Sequence, residues 1–167
     1  MNSQFLLEKL KDSEEFKKFK RENKSAYLCS GFFIIDLENK ETGNQYHLDF
    51  FVPESKKTFS FELEAGIKVV PLERIDEKIF GKIYLKEDFD FDEIEKIISK
   101  EMEKNKVNNK IQKMIFSLQN LKGKDFLLGT IFVSGFGMIK VNISLSDKKI
   151  TDFEKKSFFD MLNIMRK

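Results

Sequence analysis

The sequence is poor in the residues that most often carry chemistry. Among its 167 residues are one histidine (His47), one cysteine (Cys29) and no tryptophan. A single cysteine can form neither an internal disulfide nor a cysteine zinc site. These scarcities exclude most sets of side chains used for nucleophilic or metal-assisted catalysis. We therefore predict no catalytic residue, no bound metal and no cofactor.

Arginine is also scarce, since the chain has 27 lysines but only Arg21, Arg74 and Arg166. Arginine is the side chain that most often reads phosphates and bases in pairs of hydrogen bonds. The formal net charge is only +2, so no overall field attracts the chain to nucleic acid or to a membrane. The charge and composition predict weak or absent binding to nucleic acid.

Long apolar runs are missing as well. No stretch reaches the roughly 18 to 20 apolar residues that a membrane-spanning helix needs. The first residues, MNSQFLLEKLKDSEEF, reach acidic side chains too early for the apolar centre of a signal peptide. These features predict a cytoplasmic protein without membrane contact.

Phenylalanine is abundant, with 19 residues, and 41% of the chain is hydrophobic while 35% is charged. Clustered apolar side chains in a chain of this length are typical of one folded domain with a charged surface. We predict a single α+β domain over residues 1–167.

The first half of the chain predicts a helix followed by a meander of antiparallel strands. Residues 4–23 have helical spacing of apolar positions, and Ser13 offers a cap for a second helix after a break near residue 12. Strands are predicted at 26–37, 45–52 and 57–64. The next segment, 66–86, is predicted as two short strands, GIKVV and KIFGKIYL, around an irregular part that begins at Pro71.

The second half predicts one long helix over 89–122, followed by a hairpin and a short C-terminal helix. The apolar stripe of the long helix is Ile94, Ile98, Met102, Ile111, Ile115 and Leu118. Asparagines at 105, 108 and 109 leave a break in it open. The acidic residues at 88–93 are predicted to compensate the helix dipole, since a calcium loop would need a central glycine. The last helix has two candidate caps, Thr151 with Glu154 and Ser157 with Asp160.

These elements predict an α+β fold in which an antiparallel sheet of five to seven strands packs on one long helix, with helices at both termini. Ser30-Gly31-Phe32 and Ser134-Gly135-Phe136 share their sequence and suggest a weak pseudo-repeat of 1–87 and 88–167. Two such helix-plus-strands units are similar to cystatin-like or PepSY-like units. This resemblance implies a fold and carries no function.

Two groups of residues are candidate binding sites. The first is a basic stripe on the second half of the long helix, within residues 100–124, and its members are Lys100, Lys104, Lys106, Lys110 and Lys113. The second is a polar patch of His47 and Asp49 on one strand face. A predicted hairpin that places His47 opposite Ile35 separates His47 from Cys29 by roughly 20 Å, which excludes a nucleophile–base pair.

The strands at 26–37 and 125–134 are apolar on both faces, so their second face needs cover from the terminal helices or from a partner. We therefore predict a non-enzymatic protein that acts through a sheet or helix surface, as a homo-oligomer or with a protein partner. Two alternatives stay open. One is an enzyme or small-ligand binder with an apolar cavity between helix and sheet, and the other is a weak nucleic-acid binder that uses the basic stripe.

Overall fold

The computed structural model describes residues 1–73 and 80–166, which form helices and strands in the α+β class. The helices are α1 (Ser3–Asp12), α2 (Glu14–Glu22), α3 (Phe91–Lys104) and α4 (Phe158–Met165). The strands are β1 (Tyr27–Asp36), β2 (Gln45–Val52), β3 (Lys57–Glu62), β4 (Lys68–Leu72), β5 (Ile111–Leu121), β6 (Lys124–Val133), β7 (Gly137–Ser144) and β8 (Lys149–Ser157).

All of these strands belong to one sheet, in the order β4-β3-β2-β1-β5-β6-β7-β8. Every neighbouring pair is antiparallel. The predicted α+β class and antiparallel sheet are confirmed, but the described residues contain eight strands instead of five to seven. Each half of the chain supplies helical structure followed by four strands, and the first strands of the two halves, β1 and β5, pair at the centre.

The long helix predicted over 89–122 is wrong in its second half. The helix α3 ends at Lys104, and β5 begins at Ile111. In β5 the side chains of Met114, Phe116 and Leu118 are fully buried at alternate positions. Apolar residues at 111, 115 and 118 also fit helical spacing, so the sequence of this segment is compatible with a helix and with a strand. Pairing with β1 on one side and β6 on the other decides for the strand, because it satisfies the backbone of both edges.

Helix starts follow the predicted caps. The Ser13 hydroxyl accepts a hydrogen bond from the Phe16 N–H, so α1 and α2 are separate helices. The Asp90 carboxylate accepts hydrogen bonds from the N–H groups of Asp92 and Glu93 at the start of α3. The acidic residues there cap a helix, as predicted.

The C-terminal helix α4 uses the second of its two predicted caps. The Ser157 hydroxyl accepts a hydrogen bond from the Asp160 N–H, and the Asp160 carboxylate accepts one from the Ser157 N–H. Thr151 and Glu154 instead lie in β8.

The β1–β2 hairpin has a different register from the predicted one. His47 lies opposite Phe32 instead of Ile35. A β-bulge between Leu28 and Ser30 places Cys29 as an extra residue in β1, and the spacing argument could not foresee it. Cys29 and His47 are therefore roughly 10 Å apart along the strand, about half the predicted separation.

The two Ser-Gly-Phe tripeptides do not lie at equivalent places. The first is inside β1, whereas Ser134 and the two residues after it form the turn that precedes β7. The predicted pseudo-repeat draws no support from them.

The segment 66–86 is partly as predicted. Its first short strand corresponds to β4, but residues 80–85 are not a strand. The Ile83 N–H donates to the Leu28 carbonyl over 2.8 Å, and Ile83 is buried. Residues 74–79 of this prediction lie outside the described residues.

The core lies between α1, α2 and α3 and one face of the sheet. From the helices it takes Leu6, Leu10, Phe19, Phe91, Ile94, Ile98 and Met102. From the sheet it takes side chains at alternate positions, among them Phe33, Leu48, Phe61, Phe116, Leu127, Ile131 and Val141. All three helices therefore cover the same face.

Phenylalanine rings hold this core together in two groups. The Phe19 ring lies 5.1 Å from that of Phe61 in a T-shaped arrangement. Near the centre, the Phe91 ring of α3 lies 5.1 Å from Phe33 on β1 and 6.1 Å from Phe116 on β5. Each such pair contributes about 0.5–1.5 kcal/mol to stability beyond the burial of its surface. These contacts account for much of the abundance of phenylalanine in the sequence.

Gly129 leaves the space that the core rings need. A Cβ at this position would lie 2.8 Å from both the Phe116 ring and a Val141 methyl group. We expect Gly129→Ala to lower the free energy of unfolding by about 1–3 kcal/mol through overpacking, measured by urea unfolding. Thr130→Ala, on the other face of the same strand, is the matched control and should change it by less than about 1 kcal/mol. Equal stability of Gly129→Ala and the wild type would contradict this packing.

Candidate functional site

The sheet face opposite α1, α2 and α3 carries an apolar strip on its central strands, and we call this face the open face. The members of the strip come from β1, β5 and β6 and are Phe32, Ile34, Ile115, Leu128 and Phe132. Phe32 is 37% exposed and Phe132 is 38% exposed, and the other three are half-buried. The strip is therefore a candidate interaction surface.

The strip arises because β1 and β6 are apolar on both faces, as the sequence predicts. Phe33 and Ile35 of β1 enter the core, so the residues that alternate with them, Phe32 and Ile34, must face the other way. The N-terminal helices α1 and α2, one of the predicted covers, pack with α3 on the core side instead.

Two shallow grooves flank the Phe132 ring on this face. The first, about 460 Å³, is bordered by Gln112 and Met138 and reaches the β6–β7 turn. The second, about 440 Å³, is bordered by Asp36 and Lys113. The open face therefore presents a projecting ring with a hollow on either side.

The predicted polar patch of His47 and Asp49 lies beside this strip on β2. The His47 Nε2 atom is 2.8 Å from a Glu64 carboxylate oxygen, and its ring lies 6.0 Å from that of Phe32. Asp49 is buried, and its carboxylate accepts a hydrogen bond of 2.6 Å from the Ser30 hydroxyl. The two side chains thus have separate partners and form no joint site.

Cys29 is fully buried, and its thiol lies 3.4 Å from the Asp49 carbonyl oxygen, to which it donates. A distance of roughly 10 Å along the strand still separates it from His47. Among the described residues, no group of three or more His, Cys, Asp or Glu side chains is arranged to hold a metal ion. We expect Cys29→Ala and His47→Ala to change the stability of the protein and nothing else.

The predicted basic stripe is dispersed, because the helix that was to carry it ends at residue 104. Lys100 and Lys104 lie on α3, and Lys104 pairs with Glu101 over 3.6 Å. Lys106 and Lys110 lie in the loop before β5. Lys113 lies on the opposite side of the sheet, in an ion pair described next.

Asp36, at the end of β1, organises the turn between β1 and β2. Its carboxylate accepts hydrogen bonds of 3.0 Å from the N–H groups of Asn39 and Glu38, and its second oxygen lies 3.2 Å from the Lys113 ammonium. The Asn39 hydrogen bond is the largest cause that holds the pKa of Asp36 below its ordinary value, and the lysine acts in the same direction against the effect of burial. Glu38 and Asn39 follow Asp36 closely in the chain, but Lys113 is far from it in sequence, so the ion pair could not be predicted from spacing.

A polar cleft of about 600 Å³ lies on the helical side of the molecule. It is formed by α3, the β1–β2 turn and the loop that links α3 to β5. Its floor is apolar, and its walls carry charged side chains from Lys40, Glu95, Glu103 and Lys110. Of the five lysines in the predicted stripe, only Lys110 lines this cleft.

Comparisons with known proteins support the fold but identify no family. No protein-family model matches the chain, and no match to a curated protein was found. The fold is similar to the crystal structure of a "putative lipoprotein" from Clostridium difficile 630, with a TM-score of 0.58 and 14% identity, over 86% of this chain and 91% of that one. At this identity the likeness shows the fold alone. Within the described residues, no helix is long and apolar enough to cross a membrane.

The lowered pKa of Asp36 predicts a pH-dependent contribution to stability. A carboxylate whose folded pKa is lowered stabilises the fold fully above its unfolded pKa of about 3.9, and this contribution is lost as the pH falls through the folded pKa. We expect Asp36→Asn to lower the urea midpoint at pH 7 and to approach the wild type as the pH falls below about 4. Glu41→Gln, which removes an exposed carboxylate from the same turn, is the matched control and should leave the urea midpoint at pH 7 close to that of the wild type. A midpoint difference that is constant with pH would contradict the role of the Asp36 charge.

Proposed function

We propose that this chain is a non-enzymatic binding protein that pairs with a second copy of itself through the open face. The observation that supports it is the apolar strip of Phe32, Ile34, Ile115, Leu128 and Phe132, which lies on a solvent-accessible sheet face. Burying such a strip stabilises a dimer by about 25 cal/mol for each Å² of apolar surface removed from water.

The shape of the face supports a second copy as the partner. In a two-fold dimer the same patch lies on both partners, so it must complement itself. The open face meets this requirement, because the Phe132 ring of one copy can enter a groove beside Phe132 of the other. The strip spans the three neighbouring strands β1, β5 and β6, which is about 14 Å at 4.8 Å per strand. The same face of β2 and β7 must therefore join the strip to reach the roughly 800 Å² per partner of a stable dimer.

The alternative functions have less support. The cavity beside α3 has charged walls and an open mouth, whereas the predicted small-ligand site was an apolar cavity between helix and sheet. The lysines of the predicted stripe lie on different surfaces, and two of them are in ion pairs. A cytoplasmic location is part of the proposal and rests on the sequence.

The dimer is tested by removing the two exposed rings of the open face. Wild-type protein should sediment as a dimer at micromolar concentration. The double variant Phe32→Thr/Phe132→Thr keeps strand-forming side chains but removes apolar contact area, so it should sediment as a monomer with an unchanged circular dichroism spectrum.

The matched control is Phe5→Gln on α1, since Phe5 is an exposed phenylalanine of the helical side with 52% of its surface accessible. This variant should remain a dimer. A monomeric wild type, or a dimer that survives loss of both rings, would remove the proposal.

Nucleic-acid binding is expected to be weak or absent, because the five lysines of the predicted stripe do not share one surface. A titration with mixed-sequence RNA at two salt concentrations should give flat curves. Submicromolar affinity that falls steeply with salt and is lost in Lys106→Glu/Lys110→Glu would show instead that the loop before β5 binds phosphates.

A further inference from the structure

The cleft beside α3 holds charges of both signs on separate walls. Glu95 and Glu103 lie two turns apart on the same side of α3, with Ser99 between them. Lys40 stands on the β1–β2 turn and Lys110 on the loop before β5. The acidic and the basic residues thus line the cleft from different elements.

These four charges are not used by the fold. The ion pairs near this end of the molecule are Lys104–Glu101 and Lys113–Asp36. In the part of the chain that the structure describes, none of the four charged side chains of the cleft has an opposite charge within 4.0 Å. The two signs are held apart although each would gain from an opposite charge in a partly enclosed site.

The wall that carries Lys110 is anchored to the sheet. The Lys110 N–H donates to the Ser134 hydroxyl over 2.9 Å, and its carbonyl accepts from the Ser134 N–H over 2.8 Å. The neighbouring Asn109 side-chain amide donates to the Ser134 carbonyl over 2.8 Å. The backbone of this wall is therefore fixed before any ligand binds, which lowers the entropic cost of binding.

Between the walls lies an apolar floor. Its members are Leu37, Met102, Val107 and Ile111. Three of them belong to the core, so their positions are fixed by packing, and Leu37 packs against the core while remaining partly exposed. The floor offers contact to an apolar group that lies between two charged ends.

We propose that this cleft binds a zwitterion, specifically a short peptide with free termini and apolar side chains. The peptide ammonium would lie at the Glu95–Glu103 wall, the carboxylate at Lys40 and Lys110, and the side chains on the floor. A cleft of about 600 Å³ is within the range of sites that hold molecules of this size, about 300–1,000 Å³. This site is separate from the open face, so it does not depend on the proposed dimer.

The test uses the dipeptide Leu-Leu with the intact chain, measured by calorimetry or by ligand-observed NMR. Two capped forms, N-acetyl-Leu-Leu and Leu-Leu-amide, remove one charge each. Leu-Leu should bind about fivefold more tightly than either capped form, which is the effect of one partly exposed ion pair.

Two variants assign the charges to the walls. Glu95→Gln should weaken Leu-Leu but leave N-acetyl-Leu-Leu unchanged, because that form has no ammonium. Lys110→Gln should weaken Leu-Leu but leave Leu-Leu-amide unchanged. Glu22→Gln and Lys122→Gln, exposed positions away from the cleft, are the matched controls and should bind as the wild type does.

The proposal is overturned by either of two results. One is the absence of Leu-Leu binding at concentrations up to about 10 mM, beyond the millimolar affinity expected of a weak site. The other is equal affinity for Leu-Leu and its two capped forms together with unchanged binding by both variants. That result would indicate contact with the apolar floor or another surface alone. The open-face variant Phe32→Thr/Phe132→Thr should bind the dipeptide normally, so failure of the dimer and failure of this site are distinguishable.

Discussion

The antiparallel pairing of β1 with β5 joins the two halves of the sheet, and the rest of the fold depends on it. Close approach is possible because Gly31 has no side chain, since a Cβ there would lie 2.9 Å from the Phe33 ring and 3.2 Å from Leu118. The paired residues Phe33 and Phe116 then meet the Phe91 ring of α3. One helix side chain thus contacts the first strand of each half. With α1, α2 and α3 gathered on this side, the apolar strip on the other face remains accessible.

Local signals in the sequence predicted the elements whose structure is decided locally. The meander follows from the apolar run of β1 and the alternating side chains of β2 and β3, and the break at Ser13 follows from a cap. The error at β5 has a different origin, because Ile115 and Leu118 fit both a helix and a strand. Only contact with two other strands decides between them. The register of the β1–β2 hairpin is already set next to the turn, where Ile34 pairs with Gln45, and the β-bulge at Cys29 shifts the pairs beyond it by one residue. Neither feature has a clear sign in the sequence.

Among the candidate sites, too, only those that depend on local patterns could be predicted from the sequence. The presence of an apolar second face followed from strands that are apolar on both sides, and Phe32 and Ile34 do lie there. The predicted basic stripe does not form, because it required a helix over 89–122 and α3 ends at Lys104. The cleft beside α3 could not be predicted, since Lys40 and Lys110 reach it from segments that are far apart in the sequence. Spacing reveals faces of elements, whereas sites between elements require the tertiary structure.

The most direct test of the central claim is the solvent accessibility of the methyl groups on the two sheet faces as a function of protein concentration. A soluble paramagnetic probe would broaden the NMR signals of accessible methyl groups. The account predicts that the methyl signals of Ile34, Ile115 and Leu128 broaden in dilute protein and become protected as concentration rises, while those of Ile98 and Ile139 in the core stay protected throughout. Protection of the open-face methyl groups at every concentration would show that the chain covers this face itself. Accessibility at every concentration would show that no second copy binds there.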